Sequence, residues 1–435
     1  MIPTFASFFL RDGRRHHADE LSDLSCLPLT IRTAVEQWAY AVEWPRTPER
    51  SPTPLLITVT LRVSAGAIGV GILTPSGDAF VDHAIVDAAG HEQSIQLVAG
   101  RPDDLGSLVV RNGSADGASN ATISHVDVST FDEPADAPRP ALAAVAPMRG
   151  WSRYYDLVGL TPIERLRATR FQDLPGNTVL HWRDGLSFEV HPGDSLSRVV
   201  YVSGTYEPNT LCVLRALLRP GDVFIDVGGN AGIVSLAAAQ WVGSTGHVHA
   251  FEPSGREYRR LVDTIARNHL SKVTAHRAAL GARRGTAVLK VASSQDGGLN
   301  TLGRRFPYDH VALETLEDVE VRTLDEVVAT EQVGPISAIK IDVEGMELHV
   351  LRGASEIIAR DRPALVVEVF GRALEACGAS PRALEEVLIA KGYVLWAIGD
   401  DGGLRRLRTL MEVDGQNIVA LPAGRHLAVP GSRSA

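Results

Sequence analysis

The 435-residue chain carries 45 % hydrophobic and 22 % charged residues, enough apolar material for two or three packed domains. A formal charge of −9 and the lack of a basic stripe argue against nucleic-acid binding as the main task and against a polyanionic substrate. The three cysteines, Cys26, Cys212 and Cys377, are odd in number and far apart, which fits buried thiols in a reducing compartment rather than a disulfide framework or zinc site.

No stretch reaches the roughly 18 apolar residues of a membrane span. Met1–Leu10 is too short for a signal sequence and runs into Arg11, Asp12, Arg14 and Arg15, so the expected location is cytoplasmic. Leu29–Trp44, bounded by Pro28 and Pro45, is read as a short helix. Six β-rich runs then follow: 55–63, 67–73, 79–86, 94–98, 107–111 and 121–130. They are punctuated by Gly, Pro, Asp and Asn, and they predict an N-terminal all-β sandwich over residues 1–131. Its shape, with Asn112, Ser114, Asn120 and His125, resembles carbohydrate-binding modules. A packing or dimerisation module with ordinary turn polars is the other reading, so homo-oligomerisation stays open.

Residues 132–150, rich in Pro and Ala, are read as a linker to a second domain over 151–430. That domain opens with a helix at 162–171, a hairpin over 177–191 and a helix at 210–218. Asp222–Val227 is then a buried strand, Gly228, Gly229 and Gly232 a turn, and Ile233–Val242 a helix. His247–Phe251 is a second strand with Glu252 at its end, which completes half of a doubly wound α/β sheet.

The turn lets a ligand approach bare backbone at a helix start. Dinucleotide spacing fails, because Asn230 and Ile233 stand where G-x-G-x-x-G needs glycine. A carboxylate at Asp226 opposes a pyrophosphate but suits a cation such as the sulfonium and ammonium of S-adenosylmethionine, and Glu252 can accept both ribose hydroxyls. Such a charge pair at about 4 Å is worth about 4 kcal/mol at an effective dielectric near 20, before desolvation.

This stretch resembles the first motif of the FkbM family of S-adenosylmethionine-dependent methyltransferases, DVGANIG followed by AFEP, with Gly229 and Ala231 as small apolar departures. The resemblance extends to Ala278-Ala279-Leu280-Gly281, Thr323-Leu324-Asp325 and Ile339–Glu347, over roughly residues 195–400. It implies a class I Rossmann-like methyltransferase domain with a seven-stranded, mostly parallel sheet and a reversed last strand. That strand is read as half of a hairpin, 406–412 against 417–421. Cofactor contacts are then expected at Tyr206 and Glu207 in a cap segment and at Asp226, Gly228, Asn230, Gly232, Glu252, Ala279 and Asp342. The irregular segment 293–318 falls where the family carries substrate and cofactor contacts, which singles out Asn300 and His310.

Strand tips of 336–341 and 364–369 bring Asp342 and Glu368 to the rim occupied by Asp226 and Glu252. Four acids there call for a cationic cofactor, a metal or a polyhydroxylated substrate. Methyl transfer to an alcohol also needs a base or a metal. Asp342 and Glu368, with Glu344, are the candidate base or divalent-ion ligands, and His310 is the alternative base. For Glu347 a solvated or capping role is expected, and Lys340 could tune a neighbouring carboxylate. The resemblance implies O-methylation of a sugar, glycoside or natural-product hydroxyl. The partners are then a small-molecule or glycan acceptor, with no nucleic acid and no membrane span. The rival readings are a nicotinamide oxidoreductase and a glycan-binding protein on a non-catalytic scaffold.

Overall fold

The computed structural model describes residues 27–47, 53–100, 105–130, 148–182 and 185–427, with the strand backbone at Arg14–Arg15 and Ala18–Leu21. The start Met1–Leu10, Cys26, most of the expected linker (131–147) and the tail after Pro430 lie outside these residues. Two compact units form: Met1–Ala135 with Leu157–Asp173, and Asp136–Asp156 with Leu174–Ala435. The helix at Pro162–Gln172 thus belongs to the first unit and not, as its place in 151–430 suggests, to the second.

Among the described residues of the first unit, ten strands form two five-stranded sheets. They are β1 (Arg14–Arg15), β2 (Ala18–Leu21), β3 (Leu29–Thr33), β4 (Tyr40–Trp44), β5 (Leu55–Ala65), β6 (Ala67–Leu73), β7 (Phe80–Asp87), β8 (Gln93–Ala99), β9 (Leu108–Asn112) and β10 (Asn120–Thr130). One sheet runs β1-β4-β9-β6-β7 and the other β2-β3-β10-β5-β8, all antiparallel. Alternation on β5 sends Leu55, Ile57, Val59, Leu61 and Val63 into a core shared with Ile68, Val70 and Ile72 of β6. Each such burial contributes about 1.5–3 kcal/mol.

Where a helix is expected over 29–44, β3 and β4 stand instead. Leu29-Thr30-Ile31-Arg32-Thr33 alternates buried and exposed with period two, and its β-branched residues suit a strand. Asn112 is fully buried, with Nδ2 donating among the carbonyls of Ala34, Glu36 and Gly117, so it holds turns rather than facing a sugar. His125 is exposed.

The second unit opens with a hairpin, β11 (Thr178–His181) and β12 (Ser187–Val190). Its main sheet has eight strands rather than seven. They are β13 (Val223–Val227), β14 (His247–Phe251), β15 (Val273–His276), β19 (Ile336–Ile341), β20 (Ala364–Val369), β21 (Tyr393–Ile398), β22 (Leu404–Arg406) and β23 (Gln416–Pro422). A small separate sheet holds β16 (Ala279–Leu280), β17 (Gly285–Ala292) and β18 (Leu313–Arg322), so the end of the expected irregular segment 293–318, from Leu313 on, enters a strand.

The order is β15-β14-β13-β19-β20-β23-β21-β22. Pairing is parallel from β15 to β20, and β23 runs antiparallel between β20 and β21. The expected hairpin of 406–412 with 417–421 does not form. Thr409 caps a short 3-10 turn at Leu410–Glu412, and β23, buried along most of its length, takes an interior place in the sheet. β13 and β19 are parallel neighbours, and the order in which strands are added reverses between them, so their carboxyl ends open a crevice at the switch point.

Candidate active site

That crevice is a cavity of about 860 Å³, a volume usual for a small-molecule site. Its floor is the turn after β13. Gly228 adopts φ +87°, and a Cβ there would lie 1.8 Å from the Asp342 carbonyl oxygen, so only glycine lets β13 and β19 end side by side. The Gly228 and Gly229 amides donate to the Phe251 carbonyl at 3.0 and 2.9 Å, which ties the turn to the tip of β14.

Glu252 lies just past that tip. Its Oε2 accepts from the Asn230 amide at 3.0 Å and its Oε1 from the Ser254 amide at 2.9 Å. Burial pushes its carboxyl up to about 8, against the pull of these two amides. Asn230, at φ +46°, also reaches the Gly297 carbonyl through Nδ2 at 3.3 Å. Ala279 lines the wall beside it.

Asp226 and Gly232, both expected to touch the cofactor, do not line the cavity. Asp226 is fully buried under the turn, and its Oδ2 accepts from Ser235 Oγ at 2.6 Å. Gly232 is turned away to pack on Leu261 and Thr264 at the start of the helix Ile233–Val242. Asp226 is the register partner of Lys340 on β19, and its carboxylate favours the Lys340 ammonium.

Lys340 Nζ lies 2.7 Å from Asp342 Oδ2. Burial opposes the ammonium, but the carboxylates of Asp342, Glu207 and Asp226 outweigh it and raise its pKa. Asp342, Glu344 and Glu368 stand together in the cavity wall, each offering an oxygen within 4.8 Å of the others. Burial, then the charge of Asp342, lifts Glu344 and Glu368 well above the usual carboxylate range. Glu347 is neither solvated nor exposed. It is buried, and its Oε1 accepts from the amides of Val343 and Gly345, both at 3.1 Å, fixing the loop that presents Glu344.

Tyr206 and Glu207 both line the cavity. Burial raises Glu207, and Asn417 of β23 donates to its Oε2 at 3.0 Å. Trp151 meets Tyr206 and Tyr155 edge-on, at 6.2 and 5.7 Å between ring centres. Asn300 lines the wall, but its Oδ1 already accepts from the Ala292 amide at 2.9 Å. His310 is an exposed residue of the wall, beside Tyr308 at 5.5 Å.

The cavity therefore gathers eleven of the thirteen expected residues: Tyr206, Glu207, Gly228, Asn230, Glu252, Ala279, Asn300, His310, Asp342, Glu344 and Glu368. Sequence reasoning missed Trp151, Tyr155 and Asn417. The aromatic cluster just after the Pro/Ala-rich stretch was the available signal for the first two. Asn417 carried none, because only the insertion of β23 beside β20 brings it to the site.

A glycine turn, an acid past the next strand and an antiparallel strand inserted between β20 and β21 define a Rossmann-like methyltransferase fold. Residues 226–395 match the family described as Methyltransferase FkbM domain. The chain is 32 % identical over 170 residues to the 31-O-demethyl-FK506 methyltransferase FkbM of Streptomyces tacrolimicus, covering 33 % of this chain and 65 % of that protein. It is 30 % identical over 113 residues to the ribosomal protein L11 methyltransferase of Bacillus subtilis, covering 26 % and 33 %. Less than two thirds of either relative is thus spanned. A solved FkbM methyltransferase from Methylobacillus flagellatus is 16 % identical with a TM-score of 0.30, covering 52 % of this chain and 53 % of that one.

Proposed function

We propose that the chain is an S-adenosylmethionine-dependent O-methyltransferase acting on a hydroxyl of a sugar, glycoside or natural product. The observation that carries this is that one cavity gathers the glycine turn, Asn230 and Glu252 together with the carboxylate cluster Asp342, Glu344 and Glu368. The turn and Glu252 suit an adenosyl group, since an ionised Glu252 still has lone pairs for ribose hydroxyls. The name of the Streptomyces relative gives an oxygen as its methyl acceptor, which supports the same choice here.

The donor supplies an activated methyl group when bound. The protein must align the acceptor oxygen, exclude water and take its proton. Alignment is worth several kcal/mol. Glu344 and Glu368, held above the usual carboxylate range, are stronger bases than an exposed acid, and the Lys340 ammonium meets Asp342 beside them. His310 serves at the rim, in acceptor binding. The oxygens of Asp342, Glu344 and Glu368 also fit a hard divalent ion, which would supply Lewis acidity to the same hydroxyl.

The test is transfer of labelled methyl from S-adenosylmethionine to a panel of glycosides and polyketide alcohols, with and without chelator. Loss of transfer in Glu344→Gln and Glu368→Gln with donor binding retained supports the assignment. Full transfer in both variants removes it.

A further inference from the structure

The second unit holds a polar cluster that the methyl-transfer reading does not use. His247 and His249 project from the same side of β14, and His276 ends the neighbouring edge strand β15. His249 Nδ1 lies 3.2 Å from His276 Nε2. Glu331, at the end of the helix Leu324–Glu331, places Oε1 3.7 Å from His276 Nδ1. One ligand atom from each of His249, His276 and Glu331 fits within a 4.8 Å span.

We infer that His249, His276 and Glu331 form a binding site for a first-row transition-metal ion such as Zn²⁺. The donor set carries the inference. Two neutral imidazoles and one carboxylate are borderline ligands that select zinc and its neighbours over magnesium or calcium. With metal–nitrogen bonds of about 2.0–2.1 Å, the two nitrogens of a tetrahedral site stand about 3.3 Å apart. The observed 3.2 Å between the imidazole nitrogens already matches that edge. The Glu331 carboxylate, one third exposed, offers the third ligand oxygen within the same 4.8 Å span, which leaves the fourth place to water.

The surroundings support ligation as well. Arg322 Nη1 holds the Glu331 carboxylate at 3.0 Å and Nη2 bonds Thr330 Oγ1, the kind of outer contact that orients a ligating carboxylate. The His276 ring stacks on Phe251 at 4.3 Å between centres. Lys272 and Arg322 are the nearby cations, on His247 and on Glu331 respectively.

Occupancy would clamp the edge strand β15 to β14 and to the helix Leu324–Glu331. The His276 carbonyl accepts from the Glu252 amide at 3.0 Å, so the clamp continues directly into the wall of the cavity. The ion here is structural, apart from any ion at Asp342, Glu344 and Glu368.

Titration of the full chain, stripped with chelator, with Co²⁺ and Zn²⁺ tests this. The expected result is one Co²⁺ per chain with the intense visible band of a tetrahedral ion, displaced by Zn²⁺, and a rise in melting temperature with Zn²⁺. Glu331→Gln, a substitution at a partly exposed position, should weaken binding at least about tenfold. His249→Asn with His276→Asn should abolish the band, while Glu344→Gln with Glu368→Gln should leave it unchanged. A missing tetrahedral band in the wild type, or a band that follows the Glu344 and Glu368 changes instead, overturns the site.

Discussion

Lys340 and Asp342 sit two residues apart at the carboxyl end of β19, and their side chains meet at 2.7 Å while Lys340 stays buried. This contact puts one fixed ammonium among Asp226, Glu207 and Asp342. It offsets the mutual repulsion of these three carboxylates.

Replacing Lys340 by Met leaves those carboxylates without a counter-charge. Removing one partner of a buried pair costs about 3–5 kcal/mol. Urea unfolding of Lys340→Met should show a loss in that range, and donor binding should fall with it. A loss under about 1 kcal/mol would mean the ammonium is not the organising charge.

Gly228→Ala meets both a left-handed backbone and the Asp342 carbonyl at 1.8 Å. Melting temperature and cofactor affinity should both drop. Gly298→Ala is the control, because the nearest atom to its Cβ is Asn230 Nδ2 at 3.8 Å and φ there is ordinary. Equal behaviour of the two variants would count against the turn's close approach.

In the β unit, Asn112 accepts from Ser119 Oγ at 2.8 Å while its Nδ2 donates to turn carbonyls. Asn112→Ala strands these groups at about 1–3 kcal/mol for each one left unpaired. Differential scanning calorimetry should show the β-unit transition lowered and the other unit's unchanged. No shift in either transition would refute this role for Asn112.

Glu252 sets a pH dependence. Its folded pKa of about 8 exceeds the ordinary 4.5, so the folded state binds this proton more tightly than the unfolded chain. Its stabilisation is full below about pH 4.5 and is lost as pH rises to about 8. Between pH 6.5 and 8 the unliganded protein should lose stability, and Glu252→Gln should flatten that slope. Ribose hydroxyls need the ionised acceptor, so donor affinity should rise over the same interval. A slope unchanged in Glu252→Gln would assign it to another group, with Glu347, raised to about 7, the first to examine.

Much of this architecture was legible in the residues because periodicity and glycine punctuation are local signals. The runs 233–242, 247–251, 336–341, 364–369 and 393–398 coincide with elements of the structure. The six β-rich runs fall on β5 to β10 within two residues at each end. Long-range placement was not legible. Asp226 reads as a ligand from its strand-tip position, yet the turn folds over it and leaves Gly228, not the carboxylate, at the cavity wall. Likewise β23 reads as half of a hairpin, because its neighbours β20 and β21 lie far back in the chain. The histidines of β14 and β15 looked unremarkable singly, and only parallel pairing of the two strands brings them together.

Calorimetric titration of the full chain with S-adenosylmethionine and its demethylated product, at pH 8, bears most directly on the account. One saturable site per chain is predicted, weakened at least tenfold, about 1.4 kcal/mol, in Glu252→Gln. The absence of measurable heat for either ligand, or unaltered affinity in the variant, would contradict an adenosyl group lying between Gly228 and Glu252.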